Sequence, residues 1–192
     1  MERGGYRLRD YGRFLWKRVL RLHPLYLVSV GAMLVPFLFQ SAGTMAARTW
    51  ADWWPHFLYL NDVLHRPWLM EIYWTLALEA QYYLAIGLIF PLLQHRHVKI
   101  RWAVMTALIL LPLLATQFRT VQMFSSLFAM GILTFWRLRG RTGAMVHGIC
   151  LLACGLVTWR AMGWPQALTG LCTAMAITSV PLHHRVLEWL GT

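Results

Sequence analysis

Acidic residues are scarce in this sequence. Of its 192 residues, 7 are Asp or Glu and 18 are Lys or Arg, and the formal net charge is +11. In a soluble protein this excess of positive charge would suggest a nucleic-acid partner. However, 58% of the residues are apolar, against about 45–50% in soluble domains. The composition therefore indicates a polytopic membrane protein, and basic cytoplasmic loops explain the charge without nucleic acid.

Cysteine and the motifs of soluble enzymes are also scarce. Cys150, Cys154 and Cys172 lie in apolar stretches and lack the spacing of a disulfide framework or a zinc site. The sequence contains no GxSxG, HExxH or P-loop motif. Histidines occur as HH and HxH pairs only in segments predicted to be loops, which is weak support for a metal site. We predict no metal site and no bound cofactor.

Long apolar stretches dominate the chain, and each connection between them carries charge, Gly or Pro. A spanning helix needs about 20 mostly apolar residues, with a range of about 17–25. Six stretches approach this length, at residues 22–40, 72–93, 102–118, 121–136, 144–159 and 166–182. No repeat or low-complexity linker separates them. We therefore predict an all-α, polytopic membrane helix bundle of about six transmembrane helices, forming a single membrane domain over residues 1–192.

The basic residues predict an orientation for this bundle. If the N-terminal segment is cytoplasmic, six spans place 14 of the 18 Lys and Arg residues on the cytoplasmic side. The four outside are Arg48, Arg66, Arg119 and Arg160. Because Lys and Arg favour cytoplasmic loops, this partition supports both the orientation and the number of spans.

One long external loop is predicted, at residues 41–71. It contains six aromatic residues, namely Trp50, Trp53, Trp54, Phe57, Tyr59 and Trp68. Amphipathic rings favour the headgroup layer, so an interfacial aromatic belt is the favoured interpretation. A surface that stacks on a sugar acceptor is the alternative.

Two groups of residues could carry chemistry in the membrane. Arg18 and Arg21 share one side of a helix, and guanidinium pairs bind phosphates such as those of coenzyme A; basic residues that flank a span are the alternative. Glu79 lies inside the second apolar stretch, and a carboxylate in a membrane is a functional-site hypothesis by default. It could orient a substrate or handle a proton, or it could join helices by pairing with an Arg or a hydroxyl. His23, beside the arginines, could act as a base.

The segments that hold these residues resemble the acyltransferase 3 family of integral membrane acyltransferases. Residues 18–26 read RVLRLHPLY, similar to the family's RxxRxxPxY segment. Residues 74–84 read WTLALEAQYYL, similar to its W-S-L-x-x-E-x-Q-F-Y-L motif. Phe128-x-x-Gly131 in a later span also fits. The departures are Thr75 in place of Ser, and Gly87 at a position where Pro is common.

The resemblance implies a transferase that moves an acyl group, expected to be acetyl, from cytosolic acyl-CoA to a hydroxyl of a sugar or cell-envelope glycan. It implies Arg18 and Arg21 at the donor site and Glu79 as the catalytic carboxylate. The motif residues Trp74, Thr75 and Tyr82 are expected to contact substrate. The expected location is a bacterial inner membrane, with the lipid bilayer, acyl-CoA and a saccharide as partners.

Family members have more spans than this sequence, including a first span with a catalytic His. From this difference we expect the 192 residues alone to insert in a membrane but not to transfer acyl groups. A polytopic transporter or proton-coupled permease is the alternative function, because a Glu in a membrane is typical of proton pathways. Internal repeats and broken helices at matching positions would favour it, and the sequence has neither.

Overall fold

The computed structural model describes residues 8–39, 50–62, 64–68, 70–115 and 120–179. In these ranges the chain is α-helical and contains no β-strand, which confirms the predicted all-α class. The helices are α1 (Tyr11–Phe39), α2 (Trp50–Phe57), α3 (Tyr73–Leu93), α4 (Val98–Leu110), α5 (Val121–Leu138), α6 (Ala144–Met162) and α7 (Trp164–Ser179). Two short 3₁₀ helices, Leu8–Asp10 and Leu111–Leu114, adjoin α1 and α4.

Six of these helices overlap the six predicted apolar stretches, and residues 40, 116–118 and 180–182 of those stretches lie outside the described residues. In the described part of the chain, α3, α5 and α6 are long and apolar enough to cross a membrane. The chain thus has the features of a membrane protein, and a total of six spans is not confirmed. The predicted external connection contains α2, a short helix that the sequence analysis did not include. Helix α1 continues through Pro24, so this proline neither opens nor ends a helix.

The described residues form two compact units. The first includes the described residues of 1–101 together with 120–121, and the second includes 102–115 and 122–179. The prediction of a single domain therefore stays a prediction.

In the first unit α1 and α3 run antiparallel and pack against each other. Tyr11, at the start of α1, donates a hydrogen bond of 3.2 Å to the carbonyl of Leu84 in the second half of α3. Tyr26, farther along α1, packs edge to face on Tyr73 at the start of α3, with 5.1 Å between ring centroids. Tyr26 is 2% exposed and Tyr73 is 3% exposed, so this aromatic contact is one of the best-buried parts of the unit.

The second unit is joined by small residues and hydroxyl groups. Ser126 of α5 and Thr158 of α6 share a buried hydrogen bond of 2.8 Å. Thr158 also donates to the carbonyl of Cys154. Such small and hydroxylated side chains let membrane helices approach closely and bond across the interface. Helix α6 ends at Met162 and is capped by Gly163, whose φ of 106° favours glycine. Helix α7 starts at the residue after this glycine.

Candidate functional site

A cavity of about 270 Å³ lies in the first unit, and we call it the α1–α3 cavity. Its lining consists of Leu15, Arg18, Val19, Leu22 and His23 from α1, Ala77, Ala80, Gln81, Tyr83 and Leu84 from α3, and residues 58–60 between α2 and α3. Most lining positions on each helix are spaced by three or four residues, so each helix contributes one face. Both predicted motifs therefore meet at this cavity.

Arg18 lies against an aromatic wall of the cavity. Its guanidinium carbon is 4.9 Å from the ring centroid of Tyr83 and 5.5 Å from that of Phe14. Tyr83 is ten residues from the end of α3 at Leu93, roughly 15 Å at about 1.5 Å per residue. Arg18 is thus level with the middle of α3. Cation–π contacts are stronger where water is excluded.

Glu79 is connected to the cavity by a hydrogen bond with Tyr83. The Tyr83 hydroxyl donates a hydrogen bond of 2.5 Å to Oε1 of Glu79. Glu79 is half-buried and is not part of the cavity lining, whereas Tyr83 is. The hydroxyl that pairs with Glu79 is therefore that of Tyr83, one turn farther along the same helix.

A third wall of the cavity comes from the segment between α2 and α3. Tyr59 and Nδ1 of His23 are joined by a long hydrogen bond of 3.4 Å, and their rings lie 5.7 Å apart, edge to face. Burial, together with the negative charge of Glu79, raises the pKa of Tyr59 from its ordinary value to about 12. Tyr59 therefore carries its proton at neutral pH and can donate a hydrogen bond. Sequence reasoning missed it as a site residue because it assigned the ring to an interfacial belt.

Buried hydrogen bonds hold this segment against α1. The Tyr26 hydroxyl donates to the carbonyl of His56 at 2.9 Å. The Asn61 amide bonds to Nε2 of His56 at 3.1 Å and donates to the carbonyl of Pro67 at 3.1 Å. Trp68 donates its indole N–H to Asp62 at 2.9 Å. Both His56 and Asn61 are fully buried, so this segment is packed into the first unit.

Not every predicted site residue reaches the cavity. Arg21 is exposed and lies off the lining. Trp74 packs on the buried cluster that contains Tyr26 and Tyr73. Thr75 is exposed, and its hydroxyl donates to the carbonyl of Ile72 at 2.7 Å, so it bonds to its own helix. 

Of two further residues of the motif on α3, Gln81 lines the cavity and Tyr82 lies beside it. Tyr82 is half-buried beside Tyr83, with 6.1 Å between ring centroids, and it lies off the cavity lining. Gln81 lines the cavity, and its Oε1 accepts a hydrogen bond of 3.0 Å from the backbone N–H of Val121.

The described residues contain no cluster of three or more His, Cys, Asp or Glu side chains that could hold a metal ion. Cys150, Cys154 and Cys172 are free thiols.

Comparisons with known proteins add nothing to this description. No protein-family model matches the chain, and no curated protein or solved structure matches it.

Proposed function

We propose that the chain is part of a membrane-bound acyltransferase that moves an acyl group from cytosolic acyl-CoA to a hydroxyl of a sugar or cell-envelope glycan. One observation carries the proposal. The arginine segment on α1 and the glutamate motif on α3, far apart in sequence, pack side by side, with Arg18 over the ring of Tyr83 and Tyr83 bonded to Glu79. A phosphate-binding cation then lines the same apolar cavity as a tyrosine that is hydrogen-bonded to a proton acceptor, and both groups are useful for transfer from a phosphorylated donor.

Each group has a role in the proposed reaction. Arg18, with Arg21 outside the cavity, binds phosphate oxygens of CoA. The acceptor oxygen attacks the thioester carbon, and the carbon–sulfur bond breaks. Tyr83 takes the proton of the acceptor hydroxyl as it passes its own proton to Glu79. Glu79 then returns a proton through Tyr83 to the leaving thiolate, so that CoA departs as a thiol.

The proposed orientation has a cytoplasmic N-terminus and six membrane helices, with the residue 41–71 connection outside. The support is the partition of basic residues, 14 of 18 on the cytoplasmic side. We expect Leu64→Cys, at a position 40% exposed, to react with an impermeant thiol reagent in intact cells, in a background without the three native cysteines. We expect Arg139→Cys, also exposed, to react only after the membrane is opened. Labelling of Arg139→Cys in intact cells would contradict this orientation.

Binding of the donor tests the proposed function directly. We expect the 192-residue chain in lipid nanodiscs to bind acetyl-CoA, in competition with CoA but not with an acetyl thioester that lacks the nucleotide. Binding is expected to weaken as salt is added, because phosphate contacts at a partly exposed site are screened. Equilibrium dialysis against empty nanodiscs measures it. Proton-coupled uptake of a solute by vesicles containing the chain, without CoA binding, would favour the transporter instead.

A further inference from the structure

The walls of the α1–α3 cavity are mainly hydrocarbon. We propose that this cavity holds the acyl chain of the donor, and that the site accepts medium-chain acyl groups in preference to acetyl. The inference rests on the proposed function and specifies its donor. It revises the expectation from the family resemblance, in which acetyl was the expected group.

The chemistry of the lining carries the inference. Five leucines line the cavity from the two helices and the connecting segment, and Val19 lies on α1 between the first two. They are Leu15, Leu22, Leu58, Leu60 and Leu84. The cavity volume is about 270 Å³. An acetyl group would present one methyl group to these walls and leave most of the space unfilled. An alkyl chain fills the space and contacts the leucines along its length.

Arg18 is a charged residue among these hydrocarbon walls, between Leu15 and Leu22 on α1. Its guanidinium is held by two aromatic rings beside the leucine walls. The lining positions on α1 run from Leu15 to His23, which corresponds to roughly 12 Å of helix at about 1.5 Å per residue. A medium-length acyl chain matches this length, and the guanidinium of Arg18 lies where a polar part of the donor can contact it.

Two small residues on α3 leave room for the tail. Ala77 is fully buried and Ala80 is half-buried, one helical turn apart on the cavity face. A larger side chain at residue 80 would occupy the space that the tail needs. We infer that Ala80 is a specificity-determining residue for chain length.

The test compares CoA, acetyl-CoA, hexanoyl-CoA and octanoyl-CoA by equilibrium dialysis in nanodiscs, with empty discs subtracted. Affinity is expected to rise by up to roughly fourfold for each methylene that enters the cavity, which corresponds to about 0.8 kcal/mol. Octanoyl-CoA should therefore bind at least tenfold more tightly than acetyl-CoA. In Ala80→Leu this ratio should fall close to one.

Ala107→Leu is the matched control, because Ala107 is exposed on α4 and does not line the cavity. It should keep the wild-type ratio, and thermal unfolding should show that both variants are folded. Val19→Ala, which enlarges the cavity, should shift the preferred chain to a longer one. Equal affinity for all acyl-CoAs would overturn the inference and leave the proposed function standing. A chain-length preference that survives in Ala80→Leu would also overturn it, and loss of all CoA binding would contradict the proposed function itself.

Discussion

Replacing Arg18 with lysine is expected to weaken acyl-CoA binding by about tenfold, and replacing it with alanine by about a hundredfold. A charge-assisted hydrogen bond contributes roughly 1.5–3 kcal/mol, and about 1.4 kcal/mol corresponds to tenfold in affinity. Lysine keeps the charge but loses the planar fork that binds a phosphate through two hydrogen bonds. It also loses the flat face that packs on Tyr83 and Phe14. Equilibrium dialysis with CoA in nanodiscs measures both losses.

Arg13→Lys is the matched control for this prediction. Arg13 lies on the same helix, is exposed, and is not part of the cavity lining. It should bind CoA as the wild-type chain does. Arg21→Lys should give a smaller loss than Arg18→Lys, because Arg21 lies outside the cavity. If Arg18→Lys and Arg21→Lys both bind CoA normally, the two arginines are only basic residues that flank a membrane segment.

Sequence patterns predicted the helices well because apolar length is a strong signal. Six predicted stretches overlap helices, and α5 begins at the predicted residue, Val121. The number of helices that cross the membrane was harder to predict. The N-terminal part of α1 contains charged residues, and α4 is followed directly by a 3₁₀ helix that contains Pro112. Hydropathy alone does not decide whether such helices span.

The candidate site was only partly predictable. The motif spacing identified Arg18 and Glu79. The partner of Glu79, Tyr83, lies four positions away, a spacing at which side chains meet on one face of a helix. No local sequence pattern links Tyr59 to His23. Their contact depends on the buried hydrogen bond from Tyr26 to His56, which holds the end of α2 against α1. An aromatic ring in a connection has the same local signal whether it faces lipid headgroups or a cavity.

Gly87 is a departure from the motif that the structure explains. It is buried where α3 faces the start of α1. A Cβ atom added there would lie 2.7 Å from a ring carbon of Tyr11 and 3.2 Å from a ring carbon of Phe14. The contact with Tyr11 is too short, so its ring would have to move, and the ring of Phe14 would have to shift by a few tenths of an ångström. Because Phe14 also packs under Arg18, the close approach at Gly87 supports the cation-binding wall of the cavity.

We expect Gly87→Leu to lower the free energy of unfolding by roughly 1–3 kcal/mol, the usual range for overpacking a close contact. The loss should occur although leucine has the higher helix propensity, by up to about 1 kcal/mol. The same variant should lose CoA affinity, since displacement of Phe14 removes one face of the Arg18 stack. Unfolding by sodium dodecyl sulfate, followed by tryptophan fluorescence in mixed micelles, measures the stability.

Gly148→Leu provides the control within the same chain. Gly148 lies inside α6, and a Cβ atom there would meet nothing within 4 Å. This variant should be as stable as the wild-type chain or slightly more stable, because only the helix propensity changes. It should also keep its CoA affinity. If Gly87→Leu and Gly148→Leu unfold at the same detergent fraction, α1 and α3 do not pack closely at Gly87, and the wall that holds Arg18 does not depend on that contact.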